Sequence, residues 1–360
     1  MLLYFQIEKV FYYNSEEEAP VKITIEDVAR LSGVSISTVS RVINGNYPVK
    51  HETKQRVLSA INELDFSPNS LARGLVQKRT HTLGVLVPSI TNLFFPEVIS
   101  GIQDAMEPNG YKVILCDTSG DDTREKEHIK ILLERRVDGI ISVDPHTANI
   151  KFYENLCSSI PLVLVNAHNK GIRCNFVLSE QSSGTSDALN YLISLGHTNI
   201  GFVRGFKSYS YDLKEDTYKK VLLENNIAVL PENIITIKKG NSIRTVDFAR
   251  EVLLERLQSP NRPTAIFACN DWMAVGTLHA SQKLGISVPE ELSVIGYDNT
   301  LISEITMPKL TTVDQDMHKL GIESASMLEH IMKNSSKEVE KIYIPSHVVY
   351  RESCAKKPDI

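Results

Sequence analysis

The sequence has little that points to catalysis or to metal binding. Its 360 residues include one tryptophan and five cysteines, with no C-x-x-C pair and no histidine at zinc-ligand spacing. It contains no G-x-S-x-G, no H-E-x-x-H, no P-loop and no G-x-G-x-x-G after a strand. The histidines are isolated, and His197 in SLGHTN is interpreted as a structural residue at a turn. We therefore expect no enzymatic activity, no cofactor and no bound metal.

Long apolar runs are also missing, so the sequence predicts no membrane-spanning segment. Residues 1 to 21 end in the acidic run Glu16 to Glu18 and lack the basic start and the small-residue cleavage site of a signal peptide. We interpret them as a disordered leader and expect the protein to be cytoplasmic. In that compartment the cysteines are expected to be reduced, mostly buried thiols, namely Cys116, Cys157, Cys174, Cys269 and Cys354.

The charge is unevenly distributed along the chain. The whole sequence carries a net charge of -5, yet residues 22 to 79 hold nine Lys and Arg against five Asp and Glu, a balance of +4, which leaves -9 for the rest. The length fits two or three domains, and an apolar content of 42% is enough for real cores. A basic head on an acidic body is the charge layout of a site-directed DNA-binding protein.

The stretch ITIEDVARLSGVSISTVSRVINGN predicts two short helices around a tight turn. Thr24 and Asp27 have capping-box spacing at the start of the first helix, and Gly33 ends it. Ser35 is placed to cap the second helix. The predicted buried side chains are Val28, Ala29 and Leu31 of the first helix and Val39, Val42 and Ile43 of the second.

The outer face of the second helix is short and polar. Ser37, Ser40, Arg41 and Asn44 recur there at i, i+3, i+4 and i+7. Short side chains let a helix enter the major groove of DNA, and an Arg can bind both acceptors of guanine. The pattern favours a DNA-reading helix-turn-helix, although an ordinary pair of surface helices would also have polar outer faces.

A third helix is predicted from about Glu52 to Asp65, where apolar residues at helical spacing would close a three-helix core. The following segment, NSLARGLVQKR, has helical composition but too little apolar surface to form a core. If two copies meet on DNA, Leu75 could act as a minor-groove wedge, with Arg73, Lys78 and Arg79 on the phosphates. A flexible basic linker is the alternative interpretation.

From Thr82 onward, short apolar runs alternate with amphipathic segments of helical length. Such runs are typical of parallel strands buried on both faces, and two successive sets indicate two doubly wound α/β subdomains. The predicted strands are 83–87, 112–116, 138–143 and 161–165 in the first set and 199–203, 234–237, 264–268 and 292–296 in the second.

In such folds ligands bind beyond the carboxyl ends of the strands. The segments to inspect are therefore 88–95, 117–122, 144–147, 166–168, 269–272 and 297–299. They carry amides, carboxylates and aromatic rings, including Ser89, Asn92, Phe94, Phe95, Asn270, Asp271, Asp298 and Asn299. Carboxylates and amides bind hydroxyl groups, and aromatic rings stack on a sugar or a base. Each residue alone could be a cap or turn residue, but their convergence predicts a site for a polar small molecule.

Taken together, the motifs resemble the lactose-repressor (LacI) family of bacterial transcription regulators over essentially Lys22 to Ser353. The most specific motifs are TIEDVARLSGVSISTVSRVINGN, SPNSLARGL, RTHTLGVLVPSITNLFF, RRVDGII, SLGHTNIGF, PTAIFACNDWMAVG, VPEELSVIGYDN and MPKLTTVDQD. The resemblance implies an all-α helix-turn-helix head and an α/β effector domain with the periplasmic-binding-protein fold. The expected ranges are a leader at 1–21, the head at 22–68, a hinge helix at 69–80, a first effector subdomain at 81–179 and 306–336, and a second at 180–305 and 337–354.

The resemblance also implies an allosteric repressor that binds a pseudo-palindromic operator as a homodimer, with a tetramer left open. By motif position, the implied base-reading residues are Ile36, Ser37 and Arg41, and the residues implied near the DNA backbone or hinge are Ser35, Thr38, Ser40, Asn44, Tyr47, Asn69, Arg73 and Leu75. The implied effector-binding positions are Asn92, Phe94, Phe95, Asn166, Lys214, Asn270, Asp298 and Gln315.

Four departures from the family pattern stand out. Lys214 replaces an Arg that usually binds the ligand in bidentate fashion, and Asn166 replaces a frequent acidic contact. VLSEQSSG replaces the usual V-x-x-D-N, and Lys50 replaces the Ser cap of the third helix. A sugar or sugar derivative is the expected effector. A nucleobase or nucleoside, a phosphoprotein co-repressor of the catabolite-control type, and a sugar-binding protein without DNA activity are the alternatives.

Overall fold

The computed structural model describes residues 23–44, 48–66, 79–145, 150–167, 171–206, 208–238, 240, 242, 244–334 and 338–357. The chain divides into two compact units, Met1–Thr80 and His81–Ile360. The predicted leader and most of the predicted hinge segment, including Asn69, Arg73, Leu75 and Lys78, lie outside the described residues. Among the residues that are described, no helix is both long and apolar enough to span a bilayer, and no group of metal-ligating side chains could hold an ion.

The first unit contains three helices, α1 (Ile25–Ser32), α2 (Ile36–Asn44) and α3 (His51–Glu63). At the start of α1 the Asp27 carboxylate accepts hydrogen bonds from the backbone N–H and the hydroxyl of Thr24, at 2.9 and 2.8 Å. The backbone bond is the main reason that the pKa of Asp27 is lowered. Gly33 ends α1 at a φ of 65°, in the left-handed region that favours glycine. The helix-turn-helix predicted from the sequence is present.

The core of this unit is small, and one predicted member is missing from it. Its buried apolar residues are Val28, Ala29, Val39, Val57 and Ala60. Leu31, predicted to be buried, is 45% exposed. Successive residues of a helix lie 100° apart, so Ser32 falls between Val28 and Ala29 on the inner face and Leu31 falls outside it. Ser32 is buried accordingly, and its hydroxyl donates to the carbonyl of Val28 at 2.6 Å.

The second unit begins with a six-stranded parallel sheet that forms the centre of one lobe. Its order is β11-β5-β4-β3-β1-β2. The strands are β1 (Thr82–Val87), β2 (Lys112–Asp117), β3 (Gly139–Val143), β4 (Leu162–Val165), β5 (Asn175–Glu180) and β11 (Lys341–Pro345). Helices α4 (Phe94–Met106) and α12 (Met317–Asn334) cover one face, and α5 (Asp122–Glu134) and α6 (Ile150–Ser159) cover the other.

The second lobe contains a four-stranded parallel sheet with the order β7-β6-β8-β9. Its strands are β6 (Ile200–Gly205), β7 (Ile234–Ile237), β8 (Ala265–Ala268) and β9 (Ser293–Ile295). The helices of this half of the chain are α7 (Gln181–Ser194), α8 (Tyr209–Glu224), α9 (Thr245–Gln258), α10 (Asp271–Leu284) and the short α11 (Leu301–Ile305). Two further strands, β10 (Thr312–Asp314) and β12 (His347–Val349), form an antiparallel pair.

Two close contacts shape these lobes. In the first, α4 and α12 approach so closely that a Cβ at Gly101 would overlap the carbonyl oxygen of His318, and a Cβ at Gly321 would overlap that of Val98. In the second, the buried His197 ring bonds to the hydroxyls of Thr264 and Ser293 at 2.9 and 3.0 Å. Its contact with the Ala355 carbonyl, at 3.0 Å, attaches the C-terminal segment. The structural role predicted for His197 agrees with these contacts.

Two further expectations from the sequence are wrong. Residues 337–354 were assigned to the second subdomain, yet Lys341–Pro345 pairs with β5 in the first sheet. The cysteines were expected to be reduced, yet Cys157 near the end of α6 and Cys174 just before β5 form a disulfide. The two cysteines are 17 residues apart in sequence, and α6, β4 and the return to β5 bring their Cα atoms to 6.1 Å. The other three cysteines are free.

Candidate DNA-reading surface and effector cavity

The outer surface of α2 presents the side chains that the sequence assigns to base reading. Ile36, Ser37 and Arg41 are exposed, and Ile36 keeps 46% of its surface accessible although it is apolar. Ser35 begins the helix as predicted, because its hydroxyl accepts the backbone N–H of Thr38 at 3.3 Å. It also lies 2.9 Å from the hydroxyls of Ser37 and Thr38. This network holds the leading turn of α2 in place.

The remaining predicted DNA contacts are only partly described. Thr38 and Ser40 are half-buried on α2. Asn44 ends α2, and its side chain, like all of Tyr47, lies outside the described residues. Lys50 stands before α3 without a side-chain capping bond, which agrees with the loss of the usual Ser cap. The part of the predicted DNA-contacting surface that the structure describes therefore consists of the first two turns of α2.

The eight predicted effector-binding residues all line one cavity in the second unit, between its two lobes. The chain passes between the lobes near residues 180, 315 and 346, so side chains from both sheets meet at this place. The volume of the cavity is about 50 Å³, which is room for a few water molecules. The predicted residues along its wall are Asn92, Phe94, Phe95, Asn166, Lys214, Asn270, Asp298 and Gln315.

Six further residues line the same cavity and were not assigned to it from the sequence. They are Asp144, Gln181, Ser208, Ser210, Tyr211 and Cys269. Asp144 and Cys269 directly follow β3 and β8, inside segments chosen for inspection. Ser208, Ser210 and Tyr211 follow β6, whose carboxyl end lies outside the ligand-binding segments predicted from the sequence. Gln181 follows β5, which was not predicted as a strand. Conversely, no residue of the segment 117–122 after β2 reaches the cavity.

The wall in the first lobe is formed by short polar side chains and two phenyl rings. The Asn92 side-chain oxygen accepts the backbone N–H of Phe94 at 3.1 Å. The rings of Phe94 and Phe95 meet edge to face at 5.2 Å between centroids. Asn166, at the end of β4, accepts the backbone N–H of Ser179 at 3.0 Å and has a φ of 53°. Asparagine tolerates this left-handed conformation better than most residues.

In the second lobe, Asn270 is fixed by two strong contacts. Its side-chain oxygen accepts the Met273 backbone N–H at 2.9 Å and so caps α10. Its side-chain N–H donates to the Gly240 carbonyl at 2.7 Å. Asn270 is 3% exposed, so the two bonds determine its orientation at the cavity.

Lys214 extends from α8 into the same space and is 2% exposed. Its ammonium donates to the Cys269 carbonyl at 3.0 Å and lies 3.4 Å from the ring centroid of Tyr297. Burial lowers the pKa of Lys214, and the carboxylates of Asp298, Asp271 and Asp144 oppose that shift. Lys214 therefore forms part of the cavity wall, held mainly by a backbone carbonyl and an aromatic face.

Asp298 combines burial, charge and an unusual backbone conformation. Its φ of 110° lies in the left-handed region, and its backbone N–H donates to the Val313 carbonyl at 2.8 Å. Its carboxylate accepts the Gln315 side-chain N–H at 2.6 Å. Burial raises the pKa of Asp298, and the nearby Lys214 charge opposes the rise. The neighbouring contacts thus hold a strained acidic residue at the cavity.

Gln315 has one unsatisfied hydrogen-bond acceptor among the described residues. Its side chain is 2% exposed, and its Oε1 atom has no hydrogen-bond partner among the described residues. A buried carbonyl oxygen without a partner costs on the order of 1–3 kcal/mol. A ligand hydroxyl or amine that reached this oxygen would recover that free energy.

Two family models match this chain. The model described as bacterial regulatory proteins, lacI family, matches residues 24–69, and the model described as periplasmic binding protein-like domain matches residues 189–354. The first match contains α1, α2 and α3. The match to the periplasmic binding protein-like model contains most of the second lobe, together with α12 and β11 of the first lobe.

Curated relatives match along nearly their whole length. The catabolite control protein A of Priestia megaterium is 34% identical over 335 residues, which is 92% of this chain and 99% of the relative. The HTH-type transcriptional repressor PurR of Vibrio parahaemolyticus is 36% identical over 335 residues, with the same two coverages. The HTH-type transcriptional regulator DegA of Bacillus subtilis is 32% identical over 336 residues and covers 92% of this chain and 98% of the relative.

Solved structures with the same fold include DNA-bound and sugar-bound proteins. The lac repressor dimer bound to operator and the anti-inducer ONPF has a TM-score of 0.82 at 27% identity, covering 93% of this chain and all of that chain. The complex of the transcriptional regulator CelR with cellobiose has a TM-score of 0.68 at 25% identity, covering 92% and 99%.

Proposed function

The chain belongs to the lacI family of bacterial regulatory proteins, and we propose that it is a repressor controlled by a neutral sugar or sugar derivative bound between its lobes. Members of this family are DNA-binding transcriptional regulators and not enzymes, and they bind operator DNA as dimers. The observation that carries the effector proposal is the convergence of eight motif-derived residues on one cavity. The proposal places the protein in the cytoplasm, because a regulator must reach bacterial DNA.

The surface of α2 supports direct reading of an operator. Arg41 can bind the O6 and N7 atoms of a guanine, and the exposed Ile36 can contact a thymine methyl group. Ser37 lies one turn before Arg41 on the same exposed side and is short enough to approach the base edges. In a dimer two copies of α2 would read two half-sites related by the symmetry of the protein, so the operator should be an inverted repeat.

The charges at the cavity favour a neutral effector over an anionic one. Asp144 and Asp298 line the wall, Asp271 is close enough to interact with Lys214, and Lys214 is the basic side chain among the lining residues that the structure describes. Because Lys214 is surrounded by these carboxyl groups and burial lowers its own pKa, the described wall offers no uncompensated positive charge to a phosphate or carboxylate. A polyhydroxylated ring could instead donate to Gln315 Oε1 and to the carboxylates while the Phe94 and Phe95 rings cover an apolar face.

Regulation would follow from the position of the cavity between the lobes. At about 50 Å³ the cavity is too small for a sugar, so binding requires the lobes to separate or the Lys214 side chain to move. We propose that this rearrangement changes the tilt between the lobes and thereby the spacing of the two DNA-binding heads in the dimer. Effector and operator would then be linked through one conformational equilibrium.

Ligand screening tests the effector proposal. A neutral sugar at a hundredfold its dissociation constant should stabilise the protein by roughly 2.7 kcal/mol. The single tryptophan, Trp272, lies two residues after Asn270 and offers a fluorescence signal for the same titration. Gln315→Leu should abolish the stabilisation, whereas Gln103→Leu, a matched change on the exposed side of α4, should keep it. Stabilisation only by sugar phosphates or by a phosphoprotein would contradict a neutral effector.

A nucleobase or nucleoside is the second candidate, favoured by the two phenyl rings in the first-lobe wall. A base offers a larger flat face for stacking than a sugar, and its edge can pair with amides such as Asn92 and Asn166. The same screen separates the candidates, because adenosine, guanine and hypoxanthine can be titrated beside neutral hexoses and pentoses under identical conditions.

The DNA-reading role of Arg41 is tested by selecting operators from a randomised pool. Loss of a bidentate contact to guanine costs about 1–3 kcal/mol, so Arg41→Ala should relax the preference at one position in each half-site. Lys54→Ala, a change of an exposed basic residue on α3, serves as the control for lost charge. An unchanged base preference with Arg41→Ala would remove this residue from the reading surface.

A further inference from the structure

A second concavity lies beside Glu180 and Gln181, where the chain crosses from β5 of the first lobe into α7. We refer to it as the flank groove. Its lining includes Leu178, Ser179, Glu180, Tyr209, Leu213 and Tyr343. Its volume is about 420 Å³, several times that of the effector cavity and large enough for a ring compound with a substituent. None of these six residues lines the effector cavity, so the flank groove is a separate compartment.

Aromatic and aliphatic side chains make up much of this groove. Tyr343 on β11 is 58% exposed and meets the buried Phe176 edge to face at 6.5 Å between centroids. Tyr209 at the start of α8 is 42% exposed. Two tyrosines that keep large accessible areas beside a concave apolar surface are well suited to stack on a flat ring.

The groove also contains a buried polar atom whose hydrogen-bonding capacity is unused. Ser179 is 5% exposed, and its hydroxyl has no hydrogen-bond partner among the described residues. Next to it, the Glu180 carboxylate accepts the Ser183 backbone N–H at 2.9 Å and has lone pairs left for a further donor. A hydroxyl group on the rim of a ligand could pair with either residue.

The walls of the groove come from both lobes. Leu178 and Tyr343 belong to the first sheet, whereas Tyr209 and Leu213 belong to α8 of the second lobe. The crossover between them continues into Gln181, which lines both compartments and accepts the Ser210 hydroxyl at 2.6 Å. A molecule in the groove would therefore contact both lobes at the point where the chain passes between them.

We propose that the flank groove is a second small-molecule site, which binds a flat aromatic ring joined to a hydroxylated group and favours one tilt of the lobes. The tyrosines and the leucines would hold the apolar face of the ligand, and Ser179 and Glu180 would bind its hydroxyl groups. An aryl glycoside combines these two features in one neutral molecule. Because the walls belong to different lobes, binding must change with any motion that separates Tyr343 from Tyr209.

Phenyl β-D-glucopyranoside is the probe for this proposal, with glucose and phenol titrated separately to show which half is recognised. Tyr343→Ala and Tyr209→Ala remove one aromatic side chain from each lobe, and both positions are exposed enough for the variants to fold. Tyr350→Ala is the matched control, because Tyr350 is 60% exposed and lies outside the groove. Calorimetry should show about tenfold weaker binding to each groove variant and unchanged binding to the control.

A second comparison separates this site from the effector cavity. Gln315 lines the effector cavity and not the flank groove. Gln315→Leu should therefore leave binding of the phenyl glucoside to the groove intact. This holds whether or not the effector cavity binds a sugar. The proposal is overturned if the probe and its two halves fail to bind at about 10 mM. It is equally overturned if Tyr343→Ala and Tyr209→Ala bind as the wild type does, or if Gln315→Leu alone abolishes binding.

Discussion

Individual buried side chains carry most of the chemistry of the effector domain. Asn270 and Asp298 were expected at the ligand edge because each directly follows a buried strand, and both line the cavity. The sequence could not predict that Asp298 has a φ of 110° or that Gln315 Oε1 lacks a partner among the described residues. Such details depend on residues brought together across the fold, here from β9 and from the crossover after β10, and no local pattern encodes them.

Asp271 is the buried carboxylate with the clearest consequence for stability. It is 1% exposed and accepts the backbone N–H and hydroxyl of Thr300, at 2.7 and 2.9 Å, and the hydroxyl of Thr312 at 2.6 Å. Burial raises the pKa of Asp271 to about 6 from the ordinary 3.8, against the effect of these bonds. Between those two pH values the folded protein holds a proton that the unfolded chain has released, so stability falls as the pH rises.

We expect Asp271→Asn to remove this pH dependence. The amide can accept from Thr300 and donate to the Thr312 hydroxyl, without the cost of burying a charge. At about 1.4 kcal/mol per pKa unit the whole titration is worth about 3 kcal/mol, and the free energy of unfolding of the wild type should fall by about 2 kcal/mol of this, relative to the variant, between pH 4 and pH 6. Urea unfolding at several pH values measures this difference, and parallel curves for the two proteins would refute it.

At the scale of elements, the sequence predicted the strands that are apolar throughout and missed those that are not. All eight predicted parallel strands are present, with ends shifted by one or two residues. The missed strands β5, β10, β11 and β12 are short or contain polar residues. The pairing of β11 with β5 joins Lys341 to Phe176, 165 residues apart, and local periodicity contains no information about such a partner.

The close contact between α4 and α12 predicts the direction in which Gly101→Ala changes the free energy of unfolding. Helix propensity alone would predict an increase, and the packing predicts a decrease. On an exposed helix surface, replacing Gly by Ala stabilises a protein by up to about 1 kcal/mol. At Gly101 the new methyl group would meet the backbone of α12, and such overpacking costs about 1–3 kcal/mol. We therefore expect Gly101→Ala to lower the free energy of unfolding in urea, while Ser100→Ala on the same helix changes it little. A stabilised Gly101→Ala variant would mean that the helices do not approach this closely.

At the scale of the whole molecule, the two units have separate tasks that must be coupled. The head has a core of five buried apolar residues, whereas the effector domain contains three much larger clusters. A small core gives the head little stability of its own, so opening it should cost less free energy than opening the larger body. The sequence indicated this division through its charge, because residues 22 to 79 carry a balance of +4 and the rest of the chain carries -9.

If one conformational equilibrium links the two tasks, binding of effector and operator must be reciprocal. An effector that weakens operator binding by a given factor must itself bind more weakly, by the same factor, to the operator-bound dimer. Factors of about 5 to 150 correspond to the usual coupling free energies of 1–3 kcal/mol. We expect the two factors to agree when both titrations are made at one salt concentration, and we expect Gln315→Leu to lose the coupling while keeping operator affinity. If saturating effector leaves operator affinity unchanged, or if Gln315→Leu keeps the full coupling, the effector does not act on the operator through this cavity.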